Sequence, residues 1–493
     1  MFTEGLMRAR ALPRVDLGDR GTQYALGGIA IGGIALALAL AVGTGQFVLA
    51  AGVALLALAP ALVVAAFRWP YVFPYGLYIL LVPFDNLLSI GAGTLTRYLS
   101  LASVAALALL IVTRRRGSSP SLALYLWGGF LAYALLSILW TPATANAMMT
   151  AQQLVSVILL LAMATLAPVE ERELRLVCAF IVLYGVVASA YGMVLLHNNP
   201  ALAGDEGRLM LNVDGRDLDP NALADSLLAP FAFAFISLLH ARKPWKVAVS
   251  VGALGIIAGG IVVALSREAF LACLAIVVVT AWFSRRRVLT LLAMIPFVAA
   301  VPMLVPAIGA RMSDALSTGG AGRTSIWSVD FQAFLQHPFF GWGAGSEIDA
   351  YNANYLSVFE FYNAGWSRPP HNTVLFVAVE LGIIGVLLFY GAWLAAFRPL
   401  AGVRRDNSLY DLRVAITAAL IALLIASAFL DMVGQKFFWL ALAVAAQFRA
   451  VALSQRTPAG EPTTIVYEAE AGSGRARRGI RSLRPRLRNG SST

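Results

Sequence analysis

The sequence predicts an all-α protein: a polytopic transmembrane helix bundle of about fourteen spans, with one helical domain outside the membrane. Three observations carry this. Of 493 residues, 59% are hydrophobic and 13% charged, and apolar runs of about twenty residues, long enough to cross a bilayer, recur along most of the chain. Short basic or Gly/Pro loops join the runs. Strand-period alternation is absent, and in lipid a helix satisfies its own backbone hydrogen bonds.

Residues 1–22 read as a cytoplasmic lead. Spans are expected at roughly 23–42, 47–67, 71–90, 97–113, 120–140, 151–167, 174–196, 221–240, 246–265, 268–284 and 288–309, which makes 23–309 the first part of the bundle. Residues 310–371 form an extramembrane helical domain, spans at 372–396, 413–433 and 435–452 complete the bundle over 372–452, and 453–493 is a basic cytoplasmic tail. The run YALGGIAIGGIALALALAV reads as a retained first span rather than a cleaved leader, because about a dozen further spans follow it.

The net charge of +11 is explained by topology and calls for no nucleic-acid partner. RRR at 114–116, ARKPWK at 241–246, RRR at 285–287 and RPLAGVRR at 398–405 all fall between spans. Placing those loops in the cytoplasm gives a consistent alternation with both termini inside; only PVEERELR is more acidic than that rule favours. The tail RARRGIRSLRPRLR is either simply solvated or meets anionic membrane lipids. Cys178 and Cys273 both fall inside spans, where they pack and supply neither zinc site nor disulfide framework.

The same alternation brings Arg208, Arg216, Arg267, Arg311, Arg323, Arg368 and His371 to one outer face. Outer loops are normally poor in arginine, and the earlier ones, GTGQ and TPATANAMMTA, obey. Within 310–371, Trp327, Phe331, Phe334 and Leu335 recur at helical spacing behind Thr324 or Ser325 as N-cap. HPFFGWGAG then ends that helix, His337 being accounted for by the helix C-terminus. A second helix is expected from Ser346, with Asp349 completing a capping box and Tyr351, Tyr355, Phe359 and Tyr362 along it. The pair reads as an amphipathic flap along the outer leaflet.

Arg323 stands just before a helix N-terminus, where free N–H groups and the helix dipole already favour an anion. A guanidinium there suits a phosphate or diphosphate; the alternative is a surface pair with Asp330 or Asp314. Arg267, in ALSREAF, sits at a corner between two spans, as a second phosphate clamp or as the partner of Glu268. Asn372 is placed to cap the span after it, which leaves His371 just outside a helix N-terminus, where the dipole disfavours the imidazolium. A neutral imidazole is what a general base requires, and Pro369 and Pro370 restrict its backbone.

Asp219-Pro220-Asn221 has the form of a helix entry. Asp217-Leu218-Asp219 matches the DxD of metal-dependent glycosyltransferases, but a single DxD does not assign a metal, and none is assigned here, nor any cofactor. GWGAG lacks the strand-turn-helix setting of a phosphate loop and reads as a turn. Glu380, inside its span, is an acid for packing or proton handling.

The order DPNALA, LSREAF, GRTSIW, HPFFGWGAG, PPHNTVLFVAVELGIIGVLLF resembles the O-antigen ligase and polymerase superfamily of bacterial envelope glycan enzymes, over roughly residues 200–397. The resemblance implies a GT-C-like bundle in the bacterial inner membrane, with 310–371 and the active site on the periplasmic face. It implies an undecaprenyl-diphosphate-linked glycan as donor and a glycan or lipid A-core acceptor. It further implies that Arg267 and Arg323 bind the donor diphosphate and that His371 activates the acceptor hydroxyl, in a metal-independent inverting transfer. Arg208, Arg216, Asp219, Asn221 and Asn372 are candidate supporting residues. The span count exceeds the usual ligase bundle of about twelve, and the choice between ligase and polymerase stays open.

A lipid-linked glycan flippase or other transporter would need charges deep within several spans, whereas here arginine gathers at one face. An oligosaccharyltransferase of the asparagine-linked type would carry an acidic first outer loop; GTGQ has no acid.

Overall fold

The structure is a computed structural model that describes residues 47–90, 93–114, 117–198, 211–213, 216–284, 323–359 and 369–455. It is a helical bundle, with two short antiparallel hairpins, β1–β2 (Ser89–Ile90, Gly93–Thr94) and β3–β4 (Leu211–Val213, Arg216–Leu218). Among the described residues, eight helices are long and apolar enough to cross a membrane: Leu95–Arg114, Leu122–Leu139, Thr144–Leu166, Glu171–Asn198, Pro220–His240, Pro244–Ala264, Thr373–Ala401 and Lys436–Ser454. Most match expected spans, because a run that is apolar on all sides must be buried in protein or lipid. The described bundle belongs to a compact unit that ends at Ser454.

In chain order the helices are α1 (Phe47–Arg68), α2 (Tyr75–Leu81), α3 (Leu95–Arg114), α4 (Leu122–Leu136), α5 (Thr144–Leu166), α6 (Glu171–Asn198), α7 (Pro220–Ser226), α8 (Leu228–His240), α9 (Pro244–Ala264) and α10 (Arg267–Phe283). They continue with α11 (Arg323–Gln336), α12 (Glu347–Asn354), α13 (Thr373–Ala395), α14 (Arg398–Ala401), α15 (Tyr410–Ala426) and α16 (Lys436–Ser454). Helices α10 and α15 pack along each other, α15 also packs on α8, α13 on α4, and α16 on α5. Helix α16 is buried along nearly its whole length. Trp127 of α4 meets Phe389 of α13 at 5.1 Å and Trp439 of α16 at 4.7 Å between ring centroids. Edge-to-face packing of this kind joins three helices through large apolar areas.

Several expectations differ from the structure. The run 71–90 is not one span: α2 has 7 residues and passes into a 3-10 turn at Val82–Leu87. Pro83, at the second position of that turn, has no N–H to continue an α-helical ladder. The runs 23–42 and 288–309, the lead 1–22, and nearly all of the tail 453–493 lie outside the described residues.

The helical pair expected within 310–371 differs in its caps and in the face it buries. Helix α11 packs beside the first half of α13, with Trp327 Nε1 donating to Pro370 O at 2.8 Å near the start of both. Its buried face is Ile326, Val329, Asp330 and Ala333, while Phe331 and Leu335 of the expected aromatic face are exposed. The helix begins at Arg323, so Thr324 and Ser325 lie within its first turn. Ser346 does not cap α12: its hydroxyl donates to Gly343 O, held there by the turn that precedes the helix.

Candidate functional site

Three helices start at the same end of the bundle. Asn372 N-caps α13, its Oδ1 accepting from Leu375 N at 3.1 Å, and its Nδ2 donates to Ala428 O at 3.1 Å. Thr373 N donates to Ser427 O at 2.8 Å. Arg323, the first residue of α11, donates from Nη1 to Phe429 O at 3.1 Å and points Nη2 at Glu268 Oε1, 3.9 Å away. Glu268 is the second residue of α10, which Ser266 N-caps and Arg267 opens. The C-terminal end of α15, residues 427–429, is therefore the post to which α11 and α13 are tied, and Arg323 bridges from it to α10. Three helix starts meet here, and the positive ends of their dipoles make the region electropositive beyond the charge of its arginines.

Among the described residues, two non-glycine residues have left-handed backbones, Leu265 at φ 48° and His371 at φ 47°. Both sit at this site, Leu265 ending α9 just before Ser266, and His371 just before the Asn372 cap. Such a conformation costs about 1–2 kcal/mol for a residue with a Cβ and clusters at functional positions.

Acids lie beside the arginine. Asp225, in α7, is fully buried, and among the described residues neither carboxyl oxygen has a hydrogen-bond partner. It is within electrostatic reach of Glu268, Asp219 and Arg323. On α11 and α12, burial pushes Asp330 up to about 7. Burial, followed by the charges of Asp330, Glu380, Asp431 and Asp349, pushes Glu347 up to about 9. No group of three or more potential metal ligands occurs among the described residues.

The loop between α11 and α12 is built into α13. Gly382 breaks that helix at φ 62°, and the carbonyls freed by the break accept from the loop: Trp342 N to Val379 O at 2.9 Å and Gly343 N to Glu380 O at 2.8 Å. In return Ile383 N donates to Pro338 O at 2.9 Å. A Cβ on Gly382 would lie 2.3 Å from Phe339 O, and one on Gly341 2.3 Å from Glu380 O. The Glu380 carboxyl is met by the backbone N–H groups of Gly345 and Glu347. GWGAG is thus a turn as expected, and also the device that fixes α11, with Arg323, to α13, with His371.

Residues 252–390 match the family model described as O-antigen ligase. The match covers 139 of the 493 residues, and over that stretch the chain is similar to the O-antigen ligase family. Arg267, Arg323, His371, the GWGAG loop and the Gly382 break all fall within the matched residues. No match was found among curated proteins. Among the described residues eight helices are long and apolar enough to cross a membrane, two of them overlapping the matched stretch, so the match lies in a membrane protein.

Of the other expected site residues, Asp219 N-caps α7, its Oδ1 accepting from Asn221 N at 2.8 Å. Asn221 is buried in the same helix. Arg216 opens β4, whose backbone lies against the 3-10 turn 82–87. Arg208 lies outside the described residues. Arg323 pairs with Glu268 and not with Asp330, which points into the α11 packing face. Sequence reasoning missed Asp225, although an acid inside the apolar run ALADSLLAPFAF is a signal in its own right.

Proposed function

We propose that this protein is an O-antigen ligase-like glycosyltransferase. It moves a glycan from an undecaprenyl-diphosphate carrier to an acceptor hydroxyl at the end of the bundle where Arg323 and His371 lie. The observation that carries this reading is the convergence of the α10, α11 and α13 N-termini, with Arg267, Arg323 and His371 upon them, inside the matched domain. A diphosphate has the charge and the acceptor oxygens that such a site would bind.

In this reading Arg323 and Arg267 hold the diphosphate and neutralise the charge that develops on it. His371 takes the proton of the acceptor hydroxyl as its oxygen bonds to the anomeric carbon, and the bond to the carrier's phosphate oxygen breaks with inversion. The carrier diphosphate is already a good leaving group, so positioning and electrostatic stabilisation supply most of the rate. Base help from His371 contributes about 10² to 10⁴. Asn372 and the strained backbone of His371 fix where the imidazole stands, and no metal or cofactor is invoked. The face concerned is periplasmic in the topology expected from the loop charges, with a lipid A-core or other glycan as acceptor.

The test is the envelope-glycan profile of a deletion strain carrying wild type, His371→Ala, Arg323→Ala or Arg267→Ala, each at normal membrane abundance. Loss of the mature glycan in all three variants supports the reading, and an unchanged profile sinks it. Long chains stranded on the carrier mark a ligase, and single repeat units mark a polymerase acting through the same site.

A further inference from the structure

At the opposite end of α10 and α15 the structure holds a second basic site. Helix α10 has 17 residues, so its C-terminus lies about 25 Å from the Arg323 end. A cavity of about 730 Å³ opens there, walled by Trp282 and Phe283 of α10, by Val403, Arg404 and Arg405 of the loop after α14, and by Tyr410 and Arg413 of α15. Its volume is that of a small-ligand pocket.

The local charges do not balance. Glu173 is paired with Arg114, Glu171 and Asp411 with Arg175, and Asp406 with Arg404. Among the described residues, Arg405 and Arg413 are left with no ion-pair partner. Arg413 is also held in place. Its guanidinium carbon lies 5.1 Å from the Phe283 ring and 5.7 Å from the Tyr410 ring, and Nη1 donates to Val403 O. Tyr410 Oη in turn donates to Phe283 O at 3.0 Å. Among the described residues the Arg413 Nε is buried without a hydrogen-bond partner. A guanidinium already held against two rings is preorganised for an oxyanion, since the ordering of the side chain is already complete.

We propose that this cavity binds a phosphate-bearing anion through Arg405 and Arg413. Two guanidinium groups around a single space match the charge and the oxygens of a phosphate. The phosphate belongs to an anionic phospholipid headgroup or is free in solution. The aromatic wall and the exposed Trp282 at a helix end match the headgroup level of a membrane, where basic pockets between helices take anionic lipids. The site is separate from the transfer site and does not depend on that assignment.

The test uses the full-length protein purified in detergent. Native mass spectrometry counts retained phosphatidylglycerol against phosphatidylcholine, and a thermal-shift series with inorganic phosphate gives the second arm. Wild type is expected to retain phosphatidylglycerol preferentially, with occupancy reduced about tenfold in Arg405→Gln and Arg413→Gln, a difference of about 1.4 kcal/mol. A Tm rise with phosphate that both variants lose, without lipid preference, supports the site and assigns it to free phosphate. Arg405 is exposed, so Arg405→Gln carries the test should Arg413→Gln fail to fold. Equal retention of both lipids with no phosphate response, or responses unchanged in Arg405→Gln, overturns the proposal.

Discussion

Arg323 Nη2 stands 3.9 Å from Glu268 Oε1, close enough to attract and too far for a hydrogen bond. Its other terminal nitrogen is anchored on Phe429 O, so the guanidinium is aimed but not closed upon its acid. A diphosphate arriving between α10 and α11 would compete with a weak partner. Arg323→Ala is expected to lower glycan transfer about 10²-fold at unchanged abundance, as loss of one charge-stabilising donor does. Arg323→Lys keeps the charge without the fork and is expected to fall between the two. Transfer rates in membranes matched for protein decide it, and an Arg323→Ala rate within twofold of wild type refutes the role.

His371 combines a left-handed backbone with the proposed role of base, so its fold and its chemistry separate by substitution. Asn adopts that backbone more readily than most residues and glycine does so freely. His371→Asn and His371→Gly are both expected to keep or slightly raise Tm while transfer falls about 10² to 10⁴. A variant that loses Tm and activity together would show that His371 is structural.

The loop seated in the α13 break predicts an effect at a distance. Gly382→Ala must hold φ 62° and place its Cβ against Phe339 O, which costs several kcal/mol unless the pairing opens. It is expected to lower Tm by more than 5 °C, measured by fluorescence-detected size exclusion after heating. Gly391→Ala, whose Cβ would meet only Leu126 Cδ1 at an ordinary contact distance of 3.8 Å, is the control and is expected to be tolerated.

Much of this was legible in the chain, and the failures share a cause. Apolar runs such as 97–113 and 151–167 became helices, and Asn372 and Asp219 became the caps their side chains suit. What stayed hidden depends on partners far away in sequence. LGIIG reads as continuous helix, and it breaks at Gly382 only because residues 338–343 supply replacement hydrogen bonds. The 71–90 run is apolar enough for a span, yet Lys436, 351 residues after Asp85, holds its far end in a polar contact. Arg267, Arg323 and His371 were readable as candidates, while the tie of Arg323 to Phe429 O and Glu268 was not.

The buried acids of α11 and α12 predict a pH dependence of stability. Asp330 sits near 7 and Glu347 near 9 in the folded chain, above their values of about 4 when unfolded. Between those limits the folded state binds more protons than the unfolded one, so stability falls as pH rises. The loss from Asp330 runs from about pH 4 to pH 7, and that from Glu347 on to about pH 9. Tm is expected to be higher at pH 5.5 than at pH 8.5, and Asp330→Asn with Glu347→Gln is expected to flatten the profile. A Tm that rises with pH over this range in wild type rules the explanation out.

Lys436 Nζ donates to Asp85 Oδ1 at 2.7 Å and to Thr96 Oγ1 at 2.7 Å, and Thr96 Oγ1 donates to the same carboxyl. Lys436 is 8% exposed and Asp85 21%, so removing one partner leaves the other largely desolvated. Lys436→Met is expected to destabilise by about 3–5 kcal/mol, because the loss is dominated by the stranded carboxylate rather than by the attraction itself. Asp85→Asn in that background neutralises the stranded charge and is expected to restore most of the Tm, a coupling that a double-mutant cycle measures directly. Additive single effects would mean that the pair is solvated. A recovered double variant would mean that this contact, which joins the start of α16 to the broken 71–90 segment, is held chiefly by the need to pair its charges.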